Sequence, residues 1–310
     1  MTTKMTFRAS GIIVPLLTPI HADESVDFEQ LDRLIEHVLA GGVNALLIMG
    51  STGEFARFDA DTRSQILARA VRKTAGAAPV YAGVGDAGTR AVLRNIRLAE
   101  QAGVDAVAAT LPYYYPVRTD AEAFSYYAAV AESTRLPVML YNIPGTCIAS
   151  LSLEVVESLL RYENVVGIKD SAGDLPRLLE ELRRFKNPER DFAVVVGSEE
   201  LSYDGLKAGA DGLVPSLANP FPRLFAGIWL AARDGDWETL RWLCASVDEM
   251  NRGNHAANSW MAPNAWRKRA LARMGVCNDR CTQPYLPVDE KTDREIAEAI
   301  ERYEKKFPSP

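Results

Sequence analysis

Eight short apolar segments alternate with helical patterns along most of the chain, and this alternation restricts the fold more than any other feature. Several of the segments are almost uniformly apolar, which is typical of parallel strands buried on both faces. Eight such strands joined by helical crossovers predict an α/β fold, a closed (β/α)8 TIM barrel. The predicted strands cover residues 12–17, 45–49, 80–83, 106–110, 138–141, 165–169, 193–196 and 212–215.

Helical patterns lie between these strands, and polar residues mark where some of them begin. Asp59, Asp120 and Ser152 stand immediately before or at the start of such patterns and are the expected N-caps. Three turns from helix to strand, at residues 40–45, 102–106 and 208–212, each place glycine after alanine, where a left-handed helix C-cap is needed. The predicted helices cover residues 28–40, 62–74, 89–101, 121–134, 153–161 and 175–185.

A doubly wound open sheet is the alternative architecture. That fold requires a glycine-rich phosphate loop after its first strand, whereas residues 17–20 read Leu-Thr-Pro-Ile. We therefore predict a barrel over residues 1–234. Residues 235–310 show helical patterns and no clear strand, which predicts a C-terminal helical appendage.

Composition argues against several classes of partner. The net charge is −6, and no basic run is longer than the three residues 267–269, so a nucleic-acid partner is not expected. No segment approaches the roughly 18 apolar residues of a membrane span, which predicts no membrane partner and a cytoplasmic location.

Cysteine and histidine are too sparse to suggest a metal centre. Cys277 and Cys281 are four residues apart, but no second cysteine pair and no histidine pair completes a zinc set. The three histidines form no His-Glu-x-x-His motif. Reduced thiols and an activity without metal or other cofactor are therefore expected. The cysteines are Cys147, Cys244, Cys277 and Cys281.

The ends of the predicted strands carry the polar residues that could perform chemistry, because active sites of β/α barrels form where strands end. Lys169 closes an apolar strand, where burial favours a neutral amine that can condense with a ketone. A structural ion pair is the alternative role for Lys169. Tyr141 closes the preceding strand, where it could relay protons or simply pack at the rim.

The other strand ends contribute weaker candidates. Gly50, Ser51 and Thr52 open a glycine-flanked turn whose hydroxyl and N–H groups could hold a carboxylate, and an ordinary strand-to-helix loop is the alternative interpretation. Gly197 and Ser216 follow strands seven and eight and are further candidates for substrate binding. The tyrosines at 113–115 suit a hydrophobic loop, a subunit contact or a catalytic element.

Four of these motifs occur in order on strands two, four, five and six, and together they resemble the dihydrodipicolinate synthase/N-acetylneuraminate lyase family of class I, pyruvate-dependent aldolases. The resemblance covers nearly the whole chain. The motifs are Gly50-Ser51-Thr52-Gly53-Glu54, Pro112-Tyr113-Tyr114, Tyr141-Asn142-Ile143-Pro144 and Gly167-Ile168-Lys169-Asp170.

The resemblance implies a role for each matching residue. Lys169 would form an imine with the keto carbon of pyruvate, and Tyr141 would shuttle protons beside it. Ser51 would link Tyr141 to Tyr114 from a neighbouring subunit, while Ser51 and Thr52 would hold the pyruvyl carboxylate. The resemblance also implies a homotetramer built as a dimer of dimers.

One departure from the family bears on the substrate. The synthases of this family usually carry an arginine shortly after Tyr-Asn-x-Pro, where it binds the carboxylate of aspartate semialdehyde. Residues 141–147 contain no arginine, and losing a bidentate carboxylate anchor is a substantial change. We therefore predict a lyase that cleaves a 4-hydroxy-2-keto acid, such as a 2-keto-3-deoxy sugar acid, to pyruvate and an aldehyde.

Three alternatives remain. The first is 4-hydroxy-tetrahydrodipicolinate synthase activity, with Arg57 as a possible replacement anchor. The second is dehydration or decarboxylation of a sugar-derived keto acid through the same imine. The third is a non-catalytic keto-acid sensor, against which the joint presence of Lys169, Tyr141, Ser51 and Tyr114 argues.

Overall fold

A computed structural model of the chain describes residues 9–186, 191–250 and 262–307. Eight parallel strands are hydrogen-bonded in the order β1 to β8 and form a closed barrel, so the predicted (β/α)8 fold is confirmed and the open-sheet alternative is wrong. The strands are β1 (Gly11–Pro15), β2 (Ala45–Ile48), β3 (Val80–Gly83), β4 (Ala106–Thr110), β5 (Val138–Asn142), β6 (Val165–Asp170), β7 (Ala193–Val196) and β8 (Gly212–Leu213).

Helices follow the strands along the chain, and further helices follow the last strand. Each of the six predicted helices corresponds to one of α1–α4, α6 and α7. The helices are α1 (Phe28–Ala40), α2 (Ala60–Thr74), α3 (Thr89–Ala102), α4 (Asp120–Glu132), α5 (Pro144–Cys147), α6 (Leu153–Leu159), α7 (Leu175–Phe185), α8 (Ser202–Lys207), α9 (Pro222–Arg233), α10 (Trp237–Met250), α11 (Ala262–Arg273) and α12 (Glu290–Lys306).

Side-chain caps begin several helices. Asp59 and Ser152 cap α2 and α6 as predicted, each accepting a backbone N–H from the first turn. The prediction of Asp120 as a cap is wrong, because Thr119 caps α4 and Asp120 is its first helical residue. Thr119 Oγ1 accepts from Glu122 N at 3.2 Å, and the Glu122 carboxylate accepts from Thr119 N at 3.0 Å. This reciprocal capping box satisfies two backbone donors at once.

Glycine ends three helices in the left-handed conformation, as the repeated turns predicted. Gly42, Gly103 and Gly209 have φ angles of +83°, +79° and +99°. The glycine at position 41 has a different cause, since a Cβ there would lie 2.4 Å from the Pro222 side chain. Gly41 therefore permits close packing, whereas Gly42 permits the turn.

The chain divides into two compact units. Of the described residues, the first unit contains 9–11, 81–186 and 191–214, and the second contains 12–80, 215–250 and 262–307. The described residues after 234 form α10, α11 and α12 and contain no strand, in keeping with the predicted helical region. The predicted boundary at residue 234 itself stays a prediction.

Three further features concern the described part of the chain alone. None of its helices is both long and apolar enough to cross a membrane. All four cysteines are free thiols, as expected. Within residues 9–186, 191–250 and 262–307, no group of three histidine, cysteine, aspartate or glutamate side chains is arranged to hold a metal ion.

Candidate active site

Lys169 and Tyr141 lie side by side at the carboxyl ends of β6 and β5. The two residues are partners in the strand register, and Lys169 Nζ lies 3.9 Å from the centroid of the Tyr141 ring. Both are buried, with exposed fractions of 5% and 4%. Because each side chain leaves a hydrogen-bonded strand, the spacing of amine and phenol is set by the barrel itself.

Gly197, at the end of β7, leaves room for the Lys169 side chain. A Cβ at this position would lie 3.1 Å from Lys169 Cε and 2.0 Å from Ser171 Oγ. Gly197 N also donates to Asp170 O at 2.6 Å. The structure therefore brings together Lys169, Tyr141 and Gly197 of the predicted site, and it adds Ser171 to their surroundings.

The residues that follow Tyr141 and Lys169 hold the two strand ends together. Asn142 Nδ2 donates to Asp170 Oδ2 at 2.6 Å, and these residues are also register partners. Asp170 Oδ1 accepts from Ala172 N at 2.8 Å. Through these contacts Asp170 helps to hold the strand end that carries Lys169.

Two neighbouring side chains of α7, Arg177 and Glu181, complete this support. Arg177 Nε donates to Asp170 Oδ2 at 2.9 Å, and Arg177 Nη2 lies 2.8 Å from Glu181 Oε1, whose side chain is fully buried. Burial, and after it the negative charge of Asp170, raises the pKa of Glu181 to about 9, although Arg177 opposes this shift. Glu181 is therefore uncharged near neutral pH, which leaves the Arg177 guanidinium to Asp170.

The raised pKa of Glu181 predicts a pH-dependent stability. Because the folded chain holds this proton more tightly than the unfolded chain, the free energy of unfolding falls as pH rises from the ordinary value of 4.5 towards about 9. Glu181→Gln keeps an uncharged side chain of similar shape, so the free energy of unfolding of this variant should fall less between pH 5 and pH 9 than that of the wild type. Urea unfolding at pH 5, 7 and 9 measures this free energy.

Glu180→Gln is the matched control, since Glu180 is a partly exposed neighbour on the same helix that pairs with Arg183 and Arg184. It should leave the loss of stability between pH 5 and pH 9 unchanged. An equal loss in the wild type and in Glu181→Gln would contradict the assignment of a protonated Glu181.

Sequence reasoning missed Arg177 and Glu181, although a signal for Glu181 was present. Glu181 falls on the same helical face as Leu178, Leu182 and Phe185, all of which are buried. A carboxylate within an apolar stripe is uncommon unless it has a buried partner.

Tyr114 lies outside this buried cluster. Its side chain is 70% exposed and that of Tyr115 is 76% exposed. The two rings meet edge to face, with centroids 4.9 Å apart. The segment after β4 therefore presents two large aromatic side chains at the surface of the single chain.

The predicted carboxylate-binding turn belongs to the second unit. Gly53 N donates to Gly50 O at 3.0 Å and Glu54 N donates to Ser51 O at 3.1 Å, so residues 50–54 form a tight double turn. Thr18 Oγ1 donates to Gly53 O at 2.9 Å from a fully buried position. Ser51 and Thr52 are half-buried.

Ser216 begins a single helical turn in the same unit, and Asn219 holds this turn to the end of β1. Asn219 is completely buried. Its Oδ1 accepts from Leu17 N at 3.0 Å, while its Nδ2 donates to Pro15 O and Ser216 O, each at 2.9 Å. The sequence offered no periodic signal for this asparagine.

The short helix α5 begins at Pro144, the last residue of the Tyr141-Asn142-Ile143-Pro144 motif. Thr146 Oγ1 donates to Ile143 O at 3.3 Å, and no residue of α5 is charged. Ile148, the residue that follows α5, is 66% exposed and has a φ of +52°. Arg57, the replacement anchor considered above, is exposed and donates to Tyr285 OH at 3.1 Å.

The chain therefore has a lysine amine beside a phenol at adjacent strand ends of a (β/α)8 barrel. Comparison with known proteins identifies its family. The model of the dihydrodipicolinate synthetase family matches residues 8–303, and the chain belongs to this family. Its members are class I, pyruvate-dependent aldolases, so the chain is a lyase.

Individual relatives agree with this assignment. The 4-hydroxy-tetrahydrodipicolinate synthase of Laribacter hongkongensis is 32% identical over 266 residues, which cover 86% of this chain and 89% of that protein. The solved dihydrodipicolinate synthase of Bacteroides thetaiotaomicron is 29% identical with a TM-score of 0.90, covering 96% of this chain and 100% of that one. YagE from E. coli K12, a family member solved in complex with pyruvate, is 27% identical with a TM-score of 0.89, covering 95% and 98%.

Proposed function

We propose that Lys169 forms a Schiff base with the keto carbon of pyruvate or of a larger keto acid that contains the pyruvyl group. The observation that carries this proposal is the buried amine of Lys169, 3.9 Å from the ring centroid of Tyr141. The neutral amine adds to the carbonyl, and the resulting carbinolamine loses its hydroxyl group as water. The iminium then accepts the electron pair when the carbon–carbon bond breaks, and supplies it as an enamine when that bond forms.

Tyr141 is proposed to carry the protons of this sequence. Its hydroxyl would donate a proton to the departing carbinolamine oxygen and would exchange protons with the hydroxyl of the second substrate. Family membership supports this role, as does the position of Tyr141 beside Lys169 in the strand register.

Gly50, Ser51 and Thr52 are proposed to bind the pyruvyl carboxylate. Glycine-flanked turns present backbone N–H groups that suit an anion, and two hydroxyl groups add further donors. The match of Gly50-Ser51-Thr52-Gly53-Glu54 to the family motif supports this role. Gly197 and Ser216 are proposed to line the remainder of the substrate site.

Tyr114 is proposed to act from a neighbouring subunit of a homotetramer. The exposure of Tyr114 and Tyr115 in the single chain supports a subunit contact, because large aromatic side chains are usually buried. Sedimentation of the purified protein tests the assembly, and a monomer at every concentration would contradict it.

Two reactions compete for the second substrate. Cleavage of a hydroxylated 2-keto acid, such as a 2-keto-3-deoxy sugar acid, is favoured by the uncharged helix α5, which offers no cation to a second carboxylate. Synthesis of 4-hydroxy-tetrahydrodipicolinate from pyruvate and aspartate semialdehyde is favoured at least as strongly by relatives named as that synthase at 28–32% identity.

A comparison of kcat/KM separates these reactions. If the missing arginine decides the substrate, condensation with aspartate semialdehyde should be the poorer reaction by roughly ten- to a hundredfold, the factor expected for one lost hydrogen bond to a charged group. Purified protein is assayed with both substrate sets at one pH. A clear preference for the semialdehyde would establish the synthase reaction instead.

Three additional measurements cover the other outcomes. In the synthase case, Arg57→Ala should raise KM for the semialdehyde and leave pyruvate trapping on Lys169 intact. Product analysis identifies a dehydratase by loss of water without an aldehyde product, and a decarboxylase by release of CO2. Trapping without turnover of any substrate would indicate a keto-acid sensor.

A further inference from the structure

A buried ion pair anchors the end of the turn at residues 50–54. Lys268 Nζ, on α11, lies 2.6 Å from Glu54 Oε1, and the side chains are 1% and 0% exposed. The other carboxylate oxygen of Glu54 accepts from Thr282 N at 3.1 Å and from Thr282 Oγ1 at 2.7 Å. Lys268 Nζ also donates to Arg280 O at 2.7 Å. Both charged groups are therefore enclosed and have several partners.

The backbone of Glu54 shows why this anchor matters to the turn. Its φ is +60°, a left-handed conformation that a residue with a side chain seldom adopts. Such a conformation persists when the surrounding structure holds it in place. The contacts of Glu54 with Lys268 and Thr282 supply that restraint, which glycine at this position would lack.

A second contact from α11 reaches the middle of the same turn. Asn264 Nδ2 donates to Thr52 O at 2.9 Å. Asn264 and Lys268 are four residues apart on one helix, a spacing that places both on the same face. One face of α11 therefore holds the turn at Thr52 and at Glu54.

We propose that Lys268 and Asn264 are positioning residues for the binding of the pyruvyl carboxylate. They set the backbone of the turn whose Ser51 and Thr52 hold the carboxylate, so this inference rests on the proposed function. The C-terminal helical region then determines how well pyruvate binds, although its own side chains do not perform the chemistry.

The pyruvate dependence of borohydride trapping at Lys169 tests this proposal. Asn264→Ala and Lys268→Met should raise the pyruvate concentration for half-maximal trapping by about tenfold or more, the effect of a displaced carboxylate hydrogen bond. The trapping rate at saturating pyruvate should change much less, because Lys169 itself is unaltered. Asn264→Ala is the milder variant and keeps the test available if Lys268→Met folds poorly.

Two comparison variants separate positioning from stability. Arg269 lies on the same helix as Asn264 and Lys268 and pairs with Asp279 and Asp293. Arg269→Met removes these ion pairs and should leave the half-maximal pyruvate concentration unchanged. Lys268→Met alone leaves the buried Glu54 carboxylate without its ionic partner. Adding Glu54→Gln removes that charge and should restore the thermal stability lost in the single variant. The half-maximal pyruvate concentration of this double variant should nevertheless stay high, because the ionic anchor is still absent.

Ser51→Ala distinguishes the failure of this inference from failure of the carboxylate site. If Ser51→Ala raises the half-maximal concentration but Asn264→Ala and Lys268→Met only lower the melting temperature, the two α11 residues are merely structural. If none of the three variants alters pyruvate dependence, the proposed carboxylate site is wrong and the positioning role is wrong with it.

Discussion

Lys169→Arg should abolish covalent trapping of pyruvate. In the wild type, borohydride should reduce the imine and leave one pyruvate-derived group on Lys169. Arginine keeps a positive charge at this position, but its guanidinium stays protonated and cannot condense with a ketone. Peptide mass spectrometry of the wild type and of the variant measures the modification directly.

Two other lysines make this experiment specific. Lys186, which pairs with Asp211 in the same unit, provides the control Lys186→Arg, and this variant should trap pyruvate as the wild type does. Lys268 is enclosed by its partners and should stay unmodified. Modification of a lysine other than Lys169, or no modification, would overturn the proposed Schiff-base mechanism.

Tyr141→Phe should lower turnover by roughly 10²–10⁴-fold, the usual contribution of a general acid–base group. The substitution removes the phenolic hydroxyl and keeps the ring that packs beside the Lys169 amine. Folding should therefore be almost unchanged. Steady-state kinetics and thermal unfolding of the same preparation measure the two effects separately.

Tyr162→Phe is the control for the loss of a tyrosine hydroxyl. Tyr162 OH donates to Glu132 Oε1 at 2.8 Å in an exposed position, and its removal should leave turnover near the wild-type value. If Tyr141→Phe also turned over normally, Tyr141 would have only a packing role at the rim of the barrel.

Most of the fold could be predicted because its signals are local in sequence. The bounds of β3, β4, β7, α1 and α7 agree with the expected ranges. The end of a strand was less predictable where a proline follows. The strand expected at residues 212–215 ends at Leu213, and Pro215 has no N–H group with which to extend a ladder.

The start of α4 shows a different limit. A polar residue next to a helical pattern suggested Asp120 as the cap, but Thr119 and Glu122 satisfy each other's backbone donors and so set the boundary one residue earlier. The short helix α5 was not predicted either. Four residues are too few to show a helical period.

The candidate site was predictable where chemistry coincides with a strand end. Lys169 and Tyr141 close two apolar segments, and parallel pairing brings such residues together. The supporting pair of Arg177 and Glu181 was not anticipated, because its significance depends on burial by other elements. The pairing of Glu54 with Lys268 joins distant parts of the chain, and no local pattern reports such a contact.

The narrow space beside Gly197 has a practical consequence for redesigning this protein. A directed-evolution library aimed at new aldehydes should exclude position 197, because even a methyl group there would collide with Ser171 and crowd the Lys169 side chain. Gly145, Thr146 and Ile148 are better positions to randomise, since they follow β5 without belonging to it and none of them is buried. Selection could then vary substrate range while the strand-borne amine and phenol stay untouched.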